Sequence, residues 1–200
     1  MMKKESTAEG AVKTGASGKK ALVVVDMLND FVRPGAPLEV PETRAILPAL
    51  RRRIRKARRD GELVVYVCDS HRKDDPEFTR MGWPAHAVEG TPGAGVVSTI
   101  APEPGDVVVE KRTYSGFYGT PLHFVLRRYG IQSLTLAGCV TNICILFISA
   151  ESTIRGYDVT VDERYVAGLS RKDHAIALDQ MNKVFGVRVL RRPGGKAPRR

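Results

Sequence analysis

"SLTLAGCVTNIC", Ser133 to Cys144, carries the reading of the fold. Its first half is a short, mostly apolar run that ends at Gly138. Its second half passes through Thr141 into a helical pattern over 143–156. A strand that turns directly into a helix is the joint of an α/β unit. Working outward, similar β-branched runs occur at 21–26 ("ALVVVD"), 62–69 ("ELVVYVCD"), 106–111 ("DVVVEK"), 158–163 ("DVTVDE") and 187–190 ("VRVL"). Helical patterns lie near 43–60, 119–129 and 170–185, and Gly61, Gly130, Gly156 and Gly186 stand where C-terminal caps belong. Pro48 is read as lying in a first turn. The expectation is an α/β fold: a doubly wound, mostly parallel six-stranded sheet with helices on both faces, in three layers.

The 200 residues suit one domain over 20–190, with an N-terminal tail at 1–19 and a basic tail at 191–200. The formal charge of +10 sits mostly at the ends. Residues 1–20 carry five Lys and two Glu, and residues 191–200 five Lys or Arg and no acid, so only +2 belongs to everything between. The dense run "RRRIRKARR", Arg51 to Arg59, overlaps the helical spacing of Ile46, Leu50, Ile54 and Ala57. No stacking aromatics interleave it, so it reads as a solvated helix face and not as a nucleic-acid site. No apolar run of membrane-spanning length and no export signal is present, and three cysteines are an odd number. Free thiols, a cytoplasmic location and no membrane partner are expected.

In a parallel sheet, ligands sit beyond the carboxyl ends of the strands. The first strand ends in Asp26, the second in Asp69 followed by His71, the third in Lys111, and the fourth runs to Gly138 and the cysteines. Cys144 falls at the start of a helix, where free backbone N–H groups lower a thiol pKa. A free Cys is also often a small buried hydrophobe, and Cys68 and Cys139 are read that way. Asp26 alone could be a turn residue and Lys111 alone a solvated charge. Together, a thiol, an acid and a cation make the parts list of nucleophilic catalysis. The loop after the second strand, 27 residues from Asp69 to Gly95, adds His86, and carboxylate with imidazole suits a divalent metal. His123 and His174 lie on helical segments and are read as structural.

These residues bring a resemblance with them. "VVVDMLNDF" (23–31), "EKRTYSGFYGTPL" (110–122) and "GCVTNIC" (138–144) resemble, in order, three motifs of the isochorismatase-like cysteine hydrolases, and within them of the nicotinamidase branch. The resemblance covers nearly all of 20–190. It implies Asp26, Lys111 and Cys144 as catalytic residues, with Cys144 the nucleophile. It also implies a cis peptide before Val140 and an oxyanion hole from the N–H groups of Val140 and Cys144. "WPAHAVEGTPGA" (83–94) is similar to the stretch with the last metal histidine, so Asp69, His71 and His86 are implied ligands of one divalent ion, zinc or else iron or manganese. Many relatives place another His between the two metal histidines. Here the interval "RKDDPEFTRMGWPA" (72–85) has none, and Glu77 is the best match, with Asp74 or Asp75 as substitutes. Asn142 stands where many relatives have Asp. Phe31, Trp83 and Tyr114 match positions that enclose an aromatic ring.

The implied activity is metal-dependent hydrolysis of nicotinamide to nicotinate and ammonia through a thioester. The alternatives are an amidase for a carbamoyl or ureido compound, a metal-free isochorismatase-like hydrolase, and a non-catalytic binding relative. A small-molecule amide is the implied partner, and a dimer or tetramer the implied assembly.

Overall fold

The computed structural model describes residues 18–192, so the expected tails lie outside the described residues except at their inner edges. Six strands form one sheet: β1 Lys19–Val25, β2 Leu63–Asp69, β3 Val107–Lys111, β4 Ile131–Cys139, β5 Asp158–Ala167 and β6 Arg188–Leu190. Their spatial order is β3-β2-β1-β4-β5-β6 and every pairing is parallel. The helices are α1 Asn29–Val32, α2 Glu42–Arg59, α3 Pro76–Met81, α4 Leu122–Arg128, α5 Leu146–Ile154 and α6 Arg171–Lys183.

The near-continuous apolar strands are explained by burial on both faces. Along β1, Ala21, Val23 and Val25 join one core with Leu122, Leu126, Ile148 and Leu178 of α4, α5 and α6. Leu22 and Val24 point the other way, into a core with Ile46, Leu50, Ile54 and Ala57 of α2. The period of two along the strand thus divides the sequence between two helical layers. Each of these fully buried Leu and Ile side chains contributes roughly 2 kcal/mol of burial.

On α2 most of the arginine run faces outward as expected, while Arg53 and Arg58 are partly buried. Arg53 pairs with Glu62 at 2.6 Å, and Arg58 with Asp106 at 2.5 Å. Pro48 departs from expectation, since α2 begins at Glu42 and Pro48 falls in its second turn. There it lacks the N–H that would bond the Arg44 carbonyl. The four glycines expected after helices all take positive φ, between 67° and 82°. The long loop is more structured than its lack of periodicity suggested, for it holds α3 and a short 3-10 turn, Pro92–Ala94.

β1 and β4 are neighbours at the point where the strand order reverses, and crossovers leaving in opposite directions open a crevice there. Gly138 makes the approach possible. Its φ is 109°, and an added Cβ would lie 2.0 Å from the Val25 carbonyl oxygen. After Gly138 the chain passes a cis peptide between Cys139 and Val140, as expected, and winds through a π turn, Thr141–Ile145, into α5.

Candidate active site

Asp26 leaves β1 with φ 51°, a left-handed conformation that Asp tolerates better than most residues. Its N–H donates to Val67 O at 2.9 Å, and its Oδ1 accepts the Asp69 N–H at 2.8 Å. These bonds fix the carboxylate over the strand ends. Oδ2 is 2.9 Å from Lys111 Nζ, a charge contact without hydrogen-bond alignment. That oxygen is left able to take a proton from elsewhere.

Lys111 closes β3 directly opposite Asp69 of β2. Its side chain is fully buried, and its ammonium donates to Asp69 Oδ1 and reaches Cys144 Sγ at 3.5 Å. Burial by itself would lower this ammonium's pKa, but the charges of Asp26 and Asp69 outweigh it and hold the group well above its ordinary range. Asp26 is pushed up to about 6, first by burial and then by Asp69, against the pull of Lys111. Asp69 stays low, because Lys111 and His71 overcome its burial. Cys144 corrects an expectation. Burial pushes its thiol well above the usual value despite the helix start and Lys111, so the resting sulfur is protonated and any thiolate needs a base beside it. Asp26 is beside it: carboxylate oxygens of Asp26 and Asp69 and the Cys144 sulfur lie within 4.8 Å of one another.

The other two cysteines keep structural places. Cys139 is buried and donates its S–H to the Asp26 carbonyl at 3.0 Å, and Cys68 is buried within β2.

A second cluster adjoins the first through Asp69. Ligand atoms of Asp69, His71 and His86 lie within 4.8 Å of one another, all three buried. His71 Nδ1 is 3.1 Å from Asp75 Oδ2, and His86 Nδ1 is 2.8 Å from Pro84 O. Each of those partners accepts a hydrogen bond from Nδ1, which leaves Nε2 as the nitrogen that can bind a metal once it has given up any proton it carries. Burial lowers the His71 pKa, but Asp69, Asp75 and Glu77 raise it to about 9. Buried carboxylate and imidazole donors of this kind fit a divalent metal. Glu77 is buried and belongs with His71 and Asp75 to a separate set. Asp74 turns away, its side chain 83% exposed beside Arg72. Asp75 orients His71 and caps α3 by accepting the Glu77 N–H at 2.9 Å.

A cleft of about 560 Å³, its open mouth included, lies over these clusters. Phe31, Trp83 and Tyr114 all line it, with Asp26, Asp69, Glu77, His86 and Cys144. Trp83 and Tyr114 meet edge to face at a centroid distance of 6.2 Å, and Phe31 lies 5.5 Å from the His86 ring. Tyr114 sits beside Glu77, and burial together with that carboxylate pushes its hydroxyl up to about 12. Leu38, Val40, Ile143 and Leu169 complete the apolar wall. Those four carry no signal in the sequence, since loop and helix-start aliphatics look alike whether they line a cleft or a core.

Fold and site define the class: a parallel α/β protein whose switch-point cleft holds a thiol, two carboxylates and a lysine. The chain belongs to the isochorismatase domain family, which matches residues 20–191. It is similar to the pyrazinamidase of Pyrococcus horikoshii solved in complex with zinc, at 32% identity and a TM-score of 0.81 over 87% of this chain and 99% of that one. It is similar to the nicotinamidase/pyrazinamidase of Bacillus subtilis, at 31% identity and a TM-score of 0.80 over 86% and 99% of the two chains. It also resembles the N-carbamoylsarcosine amidase of Thermoplasma acidophilum, at 39% identity and a TM-score of 0.78 over 88% and 99%. No helix among the described residues is long and apolar enough to cross a membrane.

Proposed function

We propose that this protein is a metal-dependent cysteine amidohydrolase that converts nicotinamide to nicotinate and ammonia. The observation that carries the reading is the convergence of Asp26, Lys111 and Cys144 in one buried group at the base of an aromatic-lined cleft. Asp26 takes the thiol proton as the sulfur attacks the carboxamide carbon. The N–H groups of Val140 and Cys144, with Lys111, stabilise the oxygen that gains charge. Asp26 returns the proton to the departing nitrogen, ammonia leaves, and a thioester to Cys144 remains. Asp26 then draws a proton from water, the water attacks, and nicotinate departs as the thiol re-forms.

Asp69, His71 and His86 are the proposed ligands of one divalent ion, and Glu77, grouped with His71 and Asp75, is the proposed fourth. An ion held by these residues would supply a Lewis-acidic contact for a ring nitrogen of the substrate. Phe31, Trp83 and Tyr114 enclose the ring. Zinc is favoured by the donor set and by the zinc complex of the similar pyrazinamidase.

The 39% identity to N-carbamoylsarcosine amidase favours a second reading, an amidase for a carbamoyl or ureido compound. Ammonia release from nicotinamide, measured beside N-carbamoyl and ureido substrates with metal analysis of the same sample, separates the two. A kcat/KM for nicotinamide at least tenfold above the others is expected. Preference for a carbamoyl substrate would overturn the first reading in favour of the second.

A further inference from the structure

Thr141 follows Val140 in the turn that carries Cys144, and it is fully buried. Its hydroxyl lies 2.9 Å from Nδ1 of His174, a residue of α6. The other ring nitrogen of His174, Nε2, lies 3.6 Å from Glu163 Oε1 on β5, within ion-pair range but beyond a hydrogen bond. The fold makes room for this contact. A Cβ added at Gly168 would come within 2.8 Å of the His174 Cβ, so the β5 to α6 connection admits the ring only because residue 168 is glycine. Next to it, Leu169 forms part of the cleft wall. Burial, with Arg192 and Arg191, lowers the His174 pKa against the opposing charge of Glu163, so the ring is neutral near neutral pH. With its hydrogen on Nε2 toward Glu163, Nδ1 accepts the Thr141 hydroxyl.

We propose that His174, backed by Glu163, is a positioning residue that holds the Thr141 end of the turn, and through it keeps the Val140 amide and the Cys144 thiol in register with Asp26 and Lys111. The proposal rests on the reading of Cys144 as nucleophile. Among the described residues, His174 is the one side chain bonded to the Thr141 hydroxyl. Small displacements of reacting groups cost about tenfold to a hundredfold in rate. Ring-binding residues Phe31, Trp83 and Tyr114 lie on other segments, so KM is spared.

The experiment compares His174→Ala, His174→Asn, His174→Gln, Thr141→Val and the double variant His174→Ala/Thr141→Val in the full chain. Two rates are read: turnover of whichever amide the wild type hydrolyses best, and alkylation of Cys144 by iodoacetamide. Expected for His174→Ala and for Thr141→Val is a kcat about tenfold to a hundredfold lower with KM within about twofold. The double variant is no worse than the worse single, because one contact is lost in all three. Asn places an amide where Nδ1 stands and restores kcat to within about threefold; Gln, whose amide reaches only the Nε2 position, does not. The alkylation rate shifts away from wild type in the same variants and returns with Asn. Unchanged kcat, multiplying effects, or Asn no better than Ala would overturn the proposal. If His174→Ala fails to fold, Thr141→Val and the Asn and Gln pair still decide. A wild type that hydrolyses no amide would sink the proposed activity, while the alkylation series alone would still accept or reject the role of His174.

Discussion

Lys111 donates its ammonium to Asp69, the residue directly opposite it on the neighbouring strand. Asp69 is also grouped with His71 and His86. One carboxylate therefore belongs both to the environment of the thiol and to the proposed metal site. Sequence alone placed Asp69 only in the metal set, because a motif names its residues without showing that register brings Asp69 and Lys111 together. The shared residue should behave differently from one that serves only the metal. Asp69→Asn is expected to lose bound metal and to change the alkylation rate of Cys144 by more than about fivefold, since removing a buried partner charge perturbs its neighbours strongly. His86→Ala should lose the metal yet leave that rate within about twofold. Metal analysis and alkylation on the same preparations check both, and equal behaviour of the two variants would contradict the division.

For the nucleophile, Cys144→Ala should abolish turnover while leaving the unfolding transition near that of wild type. Cys139→Ala loses only a weak S–H bond to the Asp26 carbonyl and should cost about 1 kcal/mol of stability, with activity within about tenfold of wild type. Steady-state assays and urea unfolding measure the two. A dead Cys139 variant beside an active Cys144 variant would reverse the assignment.

The acid limb of the pH profile follows from Asp26. Its working form is the carboxylate, and burial with Asp69 raises its pKa to about 6. kcat/KM should be level above that value and fall about tenfold per unit as pH drops below it. An acid limb near 4, the range of an ordinary carboxylate, would contradict the raised value.

Gly138→Ala tests the close approach of β4 to β1. The added methyl would meet the Val25 carbonyl oxygen at 2.0 Å, at a φ of 109° that side chains avoid. A loss of about 3 kcal/mol is expected in urea unfolding. A loss below about 0.5 kcal/mol would show that the two strands separate more easily than their pairing suggests.

How much of this was legible in advance follows from which forces act locally. Strand positions and a mostly parallel sheet came from apolar runs and glycine punctuation, since burial on both faces writes itself into composition; that every pairing is parallel came from the fold. That Asp26, Asp69, Lys111 and Cys144 meet at one crevice was legible because strand ends mark it. Less legible were effects that depend on distance through space. Helix-start position argued for a lowered Cys144 thiol pKa, yet burial governs it in the fold. Leu38, Val40, Ile143 and Leu169 line the cleft from separate segments without a spacing signal. His174 reads as an ordinary helix residue until the turn at Thr141 is folded against it.

Nucleophilic catalysis by Cys144 requires a covalent bond between its sulfur and the acyl group of the substrate. Its most direct test is mass spectrometry of protein mixed with nicotinamide and quenched in acid during turnover, followed by proteolysis. A nicotinoyl adduct is expected on the peptide that contains Cys144, absent from the Cys144→Ala protein. Steady ammonia release with no adduct on Cys144, or an adduct carried by Cys139 instead, would contradict it.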